Sequence, residues 1–120
     1  MSFSMTTDQI LNGTKTVTRR YGWWFLKPGD LVRPVRKAMG LKKGEKVEPL
    51  RGPLRIVSMR GEPLWHMTDA ECVLEGFSSM TGHEFVGMLC RHYGRDPISE
   101  VNRIEFEYTD GSPCGVEEGE

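Results

Sequence analysis

Residues 103–109 constrain the fold of this chain more than any other segment. Ile104, Phe106 and Tyr108 alternate there with charged or polar residues. A period of two is typical of a β-strand that buries one face and exposes the other, so Arg103 is expected on the solvated face. Such a strand needs neighbouring strands to satisfy its backbone, and the chain is therefore expected to form a sheet.

Further extended segments are predicted where β-favouring residues lie between turn signals. The turn at Lys27-Pro28-Gly29-Asp30 has a clear cause, because proline presets its first central position and glycine permits positive φ at the second. Residues 37–52, which are rich in Lys, Gly and Glu, are expected to form an exposed excursion. The predicted strands cover residues 3–5, 14–20, 31–35 and 54–59, with a second extended stretch over 64–67.

Three short helices are also predicted. Thr6 or Thr7 caps the first helix, and Gly13 ends it in the left-handed region. Residues 68–71 and 81–84 have the pattern of capping boxes. These elements together indicate an α+β domain built on a compact, curved antiparallel sheet, with the two capped helices closing one side. One face of the last helix carries Phe85, Met88, Leu89 and His92, with the histidine expected to pack against its neighbours.

Length and composition exclude several protein classes. The 120 residues fit one domain, which we expect over residues 1–109, followed by a flexible acidic tail over 110–120. No apolar run approaches the roughly 20 residues of a membrane span, and no signal sequence opens the chain, so we expect a cytoplasmic protein without a membrane partner. Three cysteines at wide spacing favour reduced thiols over a disulfide framework: Cys72, Cys90 and Cys114.

No cofactor and no metal ion are expected. The chain lacks the glycine-rich loops that bind nucleotides through their phosphates. Its histidines do not combine with the cysteines at the spacing of metal ligands: His66, His83 and His92.

Charge is distributed unevenly along the chain. Residues 1–60 carry a formal net charge of +9, and residues 61–120 carry −10. This asymmetry leaves two interpretations open: the first half binds an anionic partner, or the two halves neutralise each other within one small fold.

The densest polar cluster lies over residues 13–20. Gly13 allows a sharp turn from helix to strand, and Lys15 stands where the strand begins. Cationic and hydroxyl groups on one strand can hold a phosphate, a carboxylate or a nucleobase edge. An ordinary solvated strand remains the alternative. Alternation places Thr16, Thr18 and Arg20 on one strand face, and Val17 and Arg19 on the other.

The spacing of Gly13, Lys15, Thr18 and Arg20 resembles the signature of ASCH domains, which belong to the PUA-like superfamily. The turn over 27–30, the helix running from Thr68 into Glu75-Gly76-Phe77 and the closing strand 103–106 are similar to the same family, so the resemblance covers about residues 3–108. It implies a small, partly open antiparallel β-barrel with flanking short helices. It also implies a cleft that binds RNA, single-stranded nucleic acid or a modified nucleoside.

Some small bacterial ASCH proteins remove the acetyl group of N4-acetylcytidine with a Lys, a Thr and a Glu. The resemblance implies that these roles fall to Lys15, Thr18 and Glu75. Two mechanisms stay open from the residues alone. Thr18 attacks if Lys15 is neutral, or Glu75 activates a water while a charged Lys15 stabilises the oxyanion. The chain departs from those enzymes in its excursion at 37–52, in its tryptophan pair and in the Gly-Phe after Glu75.

The sequence is consistent with three functions: hydrolysis of an acylated nucleoside, RNA or single-strand binding without catalysis, and ribonuclease activity in the same cleft. Trp23 and Trp24 are expected to face opposite sides of a strand, so that one packs in the core and the other is free to stack on a base. A binding role requires a basic track into the cleft, formed by Arg33, Arg36, Lys37, Lys42 and Lys43. The remaining predicted ligand-binding residues are Gly13, Thr16, Arg19 and Arg20.

Overall fold

The computed structural model describes residues 1–37, 43–44 and 46–110. Helices and strands occur along the chain without regular alternation, which is typical of the predicted α+β class. In chain order the elements are α1 (Thr7–Leu11), β1 (Val17–Arg20), β2 (Leu31–Val32), β3 (Leu54–Pro63), a 3-10 turn (Leu64–His66), α2 (Asp69–Glu75), α3 (Gly82–Tyr93) and β4 (Glu100–Tyr108).

The two longest strands, β3 and β4, form the centre of one antiparallel sheet. β1 pairs with the other edge of β4, and β2 pairs with β3, giving the order β1-β4-β3-β2. The register shifts between Ile56 and Ser58, where a β-bulge lies. A bulge bends its strand and raises the local twist, which favours a curled sheet. The predicted α+β class and antiparallel sheet are confirmed, and the sheet is a curled half-barrel with a few short helices.

Two predicted extended segments are not strands. Residues 3–5 form no strand; the isolated bridge of this segment joins Ser2 to Val35, after which the chain turns into α1. Residues 64–67 form a 3-10 turn, because β3 continues unbroken to Pro63 and a proline has no N–H to extend the ladder. The strand predicted over 31–35 is shortened to β2 plus the isolated bridge of Val35 with Pro49.

Most local helix and turn signals agree with the structure, but Thr6 stands at the N-cap of α1 without a side-chain cap hydrogen bond, and of the two predicted capping boxes only the one at Thr81 is complete. α1 ends before Gly13, whose φ is 77°. Thr81 caps α3 with both hydrogen bonds of a capping box: its hydroxyl accepts from the Glu84 N–H at 3.1 Å, and its own N–H donates to the Glu84 carboxylate at 2.9 Å. At α2, the Thr68 hydroxyl accepts from the Glu71 N–H at 3.2 Å. The turn over 27–30 has Gly29 at φ 95° and closes with a 3.0 Å backbone bond.

Two apolar clusters hold these elements together. One lies between the sheet and the N-terminal segment, and includes Phe3, Ile10, Leu54, Ile104 and Phe106. The other lies under α2 and α3, and includes Leu64, Cys72, Phe85, Leu89 and Val101.

The expected solvated face of β4 is only partly solvated. Arg103 is buried, with 8% of its surface exposed, whereas Glu107 is exposed. α2 causes the difference, because its Glu71 carboxylate covers Arg103 and accepts two hydrogen bonds from it. The prediction that Arg103 faces solvent is therefore wrong.

The end of the described chain is anchored. Asp110, where the predicted tail begins, pairs with Arg51 at 2.5 Å and accepts the Gly52 N–H at 2.9 Å. Residues 111–120 of that tail lie outside the described residues, as do 38–42 and 45 of the predicted excursion. Within the described ranges, no helix combines the length and apolar character needed to cross a bilayer.

Candidate functional site

A small cavity of about 90 Å³ lies between β1, the end of α2, α3 and the N-terminal segment. Residues 2–6 form one wall, and α3 forms another with the face that the sequence predicts. His92 belongs to that face and is exposed, and its ring packs edge-on against Tyr93 with 4.7 Å between the ring centres. The polar wall of the cavity consists of Lys15, Thr18, Arg19, Arg20 and Glu75.

Three hydrogen bonds hold the C-terminal end of α2: two come from the segment that leads into β1, and one comes from α1. The carbonyl of Leu74 accepts from the Thr16 N–H at 2.9 Å, and that of Glu75 accepts from Lys15 Nζ at 2.6 Å. The carbonyl of Gly76 accepts from the side chain of Gln9 at 2.9 Å. These bonds satisfy carbonyls that a helix end leaves open, and they put a cation at the negative end of the helix dipole.

Gly76 makes this docking possible. Its φ of 94° lies in the left-handed region, and an added Cβ would lie 2.9 Å from Gln9 Cγ. Any other residue would strain the backbone and push α1 away from α2. The sequence Glu75-Gly76 thus fixes where the Glu75 side chain leaves the helix.

Lys15 and Glu75 form a buried ion pair across 60 residues of sequence. Nζ lies 3.0 Å from Oε1, and each side chain is only 3% exposed. Burial lowers the pKa of the Lys15 ammonium, while the Glu75 carboxylate opposes this shift without cancelling it. The predicted convergence of these two residues is observed.

Arg19 joins three carboxylates behind this pair. Its Nη1 donates to Glu75 Oε2 at 2.9 Å, and its Nη2 lies 2.7 Å from Glu71 Oε1 and 3.0 Å from Glu62 Oε2. Both Glu75 oxygens therefore accept from a cation, one from Arg19 and one from Lys15. Arg19 holds the carboxylate in place from the side opposite the ammonium.

Glu71 is the second anchor of this network. Its carboxylate accepts from Arg103 Nε at 2.8 Å as well as from Arg19. The hydrogen bond from Arg103, supported by that from Arg19, lowers the pKa of Glu71 to about 2. The carboxylate is therefore ionised throughout the physiological range.

Thr18 and Arg20 form a second polar pair in the cavity wall. The buried Thr18 hydroxyl oxygen accepts from Arg20 Nε at 3.0 Å. Arg20 Nη2 donates to the carbonyl of Ser2 at 2.8 Å, and the guanidinium lies 4.8 Å from the centre of the Phe3 ring. Since the hydroxyl oxygen is held as an acceptor, its own proton stays available to another group.

The predicted tryptophan pair does not lie on a strand. Trp23 has φ 61° and Gly22 has φ 133°, so the backbone leaves the β region directly after β1. Trp23 is half-buried against the apolar core, while Trp24 is 51% exposed beside Phe25, which is 71% exposed. Neither tryptophan belongs to the cavity wall described above.

The described residues of the predicted basic track also lie away from the cavity wall. Arg33 and Arg36 are exposed, and Arg36 pairs with Glu48 at 3.2 Å. Lys37 is half-buried and Lys43 is exposed, while Lys42 lies outside the described residues. Gly13 and Thr16 have backbone roles: Gly13 ends the turn after α1, and the Thr16 N–H binds α2.

Sequence reasoning missed three residues that support the site: Glu62, Glu71 and Arg103. Periodicity assigned Arg103 to solvent, and spacing assigned Glu71 to a capping box. The available signal for these residues was the charge imbalance between a basic first half and an acidic second half. In the structure, Arg19 of the first half pairs with the carboxylates at 62, 71 and 75 of the second half. Neutralisation between the halves thus accounts for part of the charge pattern.

Among the residues that the structure describes, no group of His, Cys, Asp and Glu could hold a metal ion. Cys72 and Cys90 carry free thiols, and Cys114 lies outside that part of the chain.

Comparison of the chain with protein-family models, with curated proteins and with solved structures finds no match. The function is therefore inferred from the chemistry of the cavity.

Proposed function

We propose that this chain is a cytoplasmic amidohydrolase of the ASCH type, with a PUA-like fold, that removes the acyl group of a modified nucleoside such as N4-acetylcytidine. The observation that carries the proposal is the buried Lys15–Glu75 pair, which lies in the wall of a cavity that Thr18 also lines. Amide hydrolysis needs a nucleophile, a base and a donor for the developing oxyanion, and this wall offers all three kinds of group.

In the mechanism that we favour, Thr18 Oγ1 attacks the acyl carbon and its proton passes to neutral Lys15 Nζ. Burial favours the neutral amine, since it lowers the pKa of Lys15. The amide C–N bond then breaks, and the leaving nitrogen takes the proton from Lys15. Water hydrolyses the acyl-threonine ester, which releases a carboxylate and restores the Thr18 hydroxyl.

Glu75 has a different role in each of the two mechanisms. In the threonine mechanism it positions the lysine nitrogen, with its own orientation fixed by Arg19 at 2.9 Å. In the alternative, a lone pair of Glu75 that is free of Lys15 and Arg19 accepts a proton from water, and charged Lys15 stabilises the oxyanion.

Mass spectrometry of the purified protein with N4-acetylcytidine tests the proposal directly. We expect cytidine and acetate to accumulate with the wild-type protein and to be absent with Lys15→Ala. Lys27→Ala is the matched control, because Lys27 is exposed in the turn over 27–30. Circular dichroism of each variant separates loss of chemistry from loss of fold. A folded Lys15→Ala protein with full activity would refute the proposal.

A second candidate function, single-strand binding, is favoured by the exposure of Trp24 and Phe25. Aromatic side chains at a surface offer stacking to bases of any sequence, typically about 1–3 kcal/mol for each base. Titration of labelled RNA at two salt concentrations tests this function, and Trp24→Ala should weaken binding. Trp65→Ala is the control, because Trp65 is also exposed, at 56%, but lies beyond β3. Equal weakening by the two variants would contradict specific stacking on Trp24.

A further inference from the structure

Arg20 differs from the buried cations around it in having no carboxylate partner. Lys15 pairs with Glu75, Arg19 pairs with three glutamates, and Arg103 pairs with Glu71. Within residues 1–37, 43–44 and 46–110, by contrast, Arg20 has only neutral hydrogen-bond acceptors. These are the Thr18 hydroxyl and the Ser2 carbonyl, with the Phe3 ring below the guanidinium.

The nearest carboxylate is already used. Both oxygens of Glu75 accept from other cations, at 3.0 Å from Lys15 and 2.9 Å from Arg19. Tyr93, which also influences Arg20 electrostatically, offers a hydroxyl and not a carboxylate. Arg20 is half-buried, and a positive charge that is partly removed from water without an ion-pair partner is unfavourable, so an anion that enters the cavity would stabilise it.

The guanidinium has donors left for such an anion. A guanidinium carries five N–H groups in a planar fork. Nε donates to Thr18 and Nη2 to Ser2, and Nη1 has no hydrogen-bond partner in the described part of the chain. Arg20 lines the cavity together with Thr18, so an oxygen anion bound there would lie beside the hydroxyl. The oxygen atoms of a carboxylate or a phosphate match the planar fork of an arginine better than they match the single ammonium group of a lysine.

We propose that Arg20 forms an oxyanion subsite in this cavity, which binds a carboxylate or phosphate group of the ligand. Such a group has two sources: the carboxylate that amide hydrolysis releases, or the phosphate of a nucleotide. The subsite uses the same cavity as the proposed function but does not depend on turnover there.

Isothermal titration of the full chain with sodium acetate and, separately, with inorganic phosphate tests the subsite, with sodium chloride at equal ionic strength as the reference. We expect at least one of the two anions to bind with a measurable Kd, and Arg20→Met to weaken that binding by tenfold or more. Arg20→Lys keeps the charge but not the fork, and should recover only part of the affinity. Arg55→Met is the control, because Arg55 is about half exposed and pairs with Glu107 at the surface.

The outcomes separate the two sources and the two proposals. Binding of acetate alone indicates a carboxylate subsite, and binding of phosphate alone indicates a nucleotide subsite. Binding of neither anion to the wild-type protein, or equal weakening by Arg20→Met and Arg55→Met, overturns the proposal even if N4-acetylcytidine is hydrolysed. Anion binding that depends on Arg20, without any hydrolysis, supports the subsite and refutes the amidohydrolase.

If Arg20→Met does not fold, the shift of a single arginine Nε–H signal in wild-type NMR spectra during the titration replaces that variant. Absence of the shift overturns the subsite.

Discussion

Glu71 Oε1 lies 2.7 Å from Arg19 Nη2, and this ion pair joins α2 to β1 within the charged network at the cavity. The same guanidinium donates from Nη1 to Glu75, one helical turn further along α2. Arg19 therefore binds two carboxylates of one helix at once. This arrangement fixes the helix against β1 and orients Glu75 towards Lys15.

The first prediction concerns the stability of this network in acid. The pKa of Glu71 is lowered to about 2 from an ordinary value of 4.5. A lowered carboxylate pKa stabilises the folded state above pH 4.5 and loses that contribution as pH falls towards 2. We expect a contribution on the order of 2 kcal/mol, allowing for the solvent that reaches this group. Urea unfolding of the wild-type protein between pH 7 and pH 2.5 should show the decline.

Glu71→Gln should flatten that decline, because the amide has no proton to gain over this range. Glu107→Gln is the matched control, since Glu107 is 52% exposed and pairs with Arg55 at the surface. An acid transition with the same steepness in Glu71→Gln and in the wild-type protein would contradict the assignment.

The second prediction separates pairing from folding at Lys15. Lys15→Met removes the cation and leaves the buried Glu75 carboxylate with Arg19 alone. We expect a loss of about 3 kcal/mol in the free energy of unfolding, as for breaking one partner of a buried pair. The double variant Lys15→Met/Glu75→Gln should recover part of this loss. A double-mutant cycle measures the coupling, and independent, additive effects would show that the pair is not coupled.

The third prediction distinguishes the two mechanisms by pH. If neutral Lys15 is the base, kcat/KM should rise with pH up to its pKa, which burial places below the ordinary 10.5. If charged Lys15 stabilises the oxyanion, kcat/KM should fall as pH rises through the same value. The pH profile of N4-acetylcytidine hydrolysis decides between them, with circular dichroism across the range to exclude unfolding.

The fourth prediction uses two glycines with almost equal backbone angles. Gly76 has φ 94° and Gly29 has φ 95°, so alanine strains the backbone by a similar amount at each. An added Cβ at Gly76 would also lie 2.9 Å from Gln9 Cγ, whereas at Gly29 it meets no described atom within 4 Å. We expect Gly29→Ala to cost about 1 kcal/mol and Gly76→Ala to cost about 3 kcal/mol.

Gly76→Ala should also reduce turnover, because it displaces the end of α2 that carries Glu75. Thermal unfolding and initial rates measure the two effects. Equal losses of stability in the two variants would show that the contact with Gln9 is unimportant.

The parts of the fold that the sequence predicted depend on contacts within a few residues. The capping box of α3 joins Thr81 to Glu84, and the turn at 27–30 closes between Lys27 and Asp30. Gly13 ends the turn after α1 with the positive φ that its lack of a side chain allows. Each of these signals is complete in the sequence, since every group that it needs lies within four positions.

The site was predictable only in part. The resemblance of the segment from Gly13 to Arg20 to a known signature, together with the Glu75-Gly76 helix end, pointed to Lys15 and Glu75. Spacing alone contained nothing to join them, because they lie 60 residues apart and meet only when α2 docks on β1.

Tertiary structure alone decided which charges are buried and which partners they have. Sequence periodicity placed Arg103 in solvent, yet Glu71 covers it, because α2 packs over that face of β4. Trp23 and Trp24 follow a strand in sequence, but their backbone turns away after Arg20. Whether a side chain is buried depends on which distant segment packs over it, and a local sequence pattern does not show that segment. The sequence by itself determined the caps of α2 and α3, the turn over 27–30 and the segments that form β1 to β4. The packing of α2 on β1 and β4 determined the charged network at the cavity.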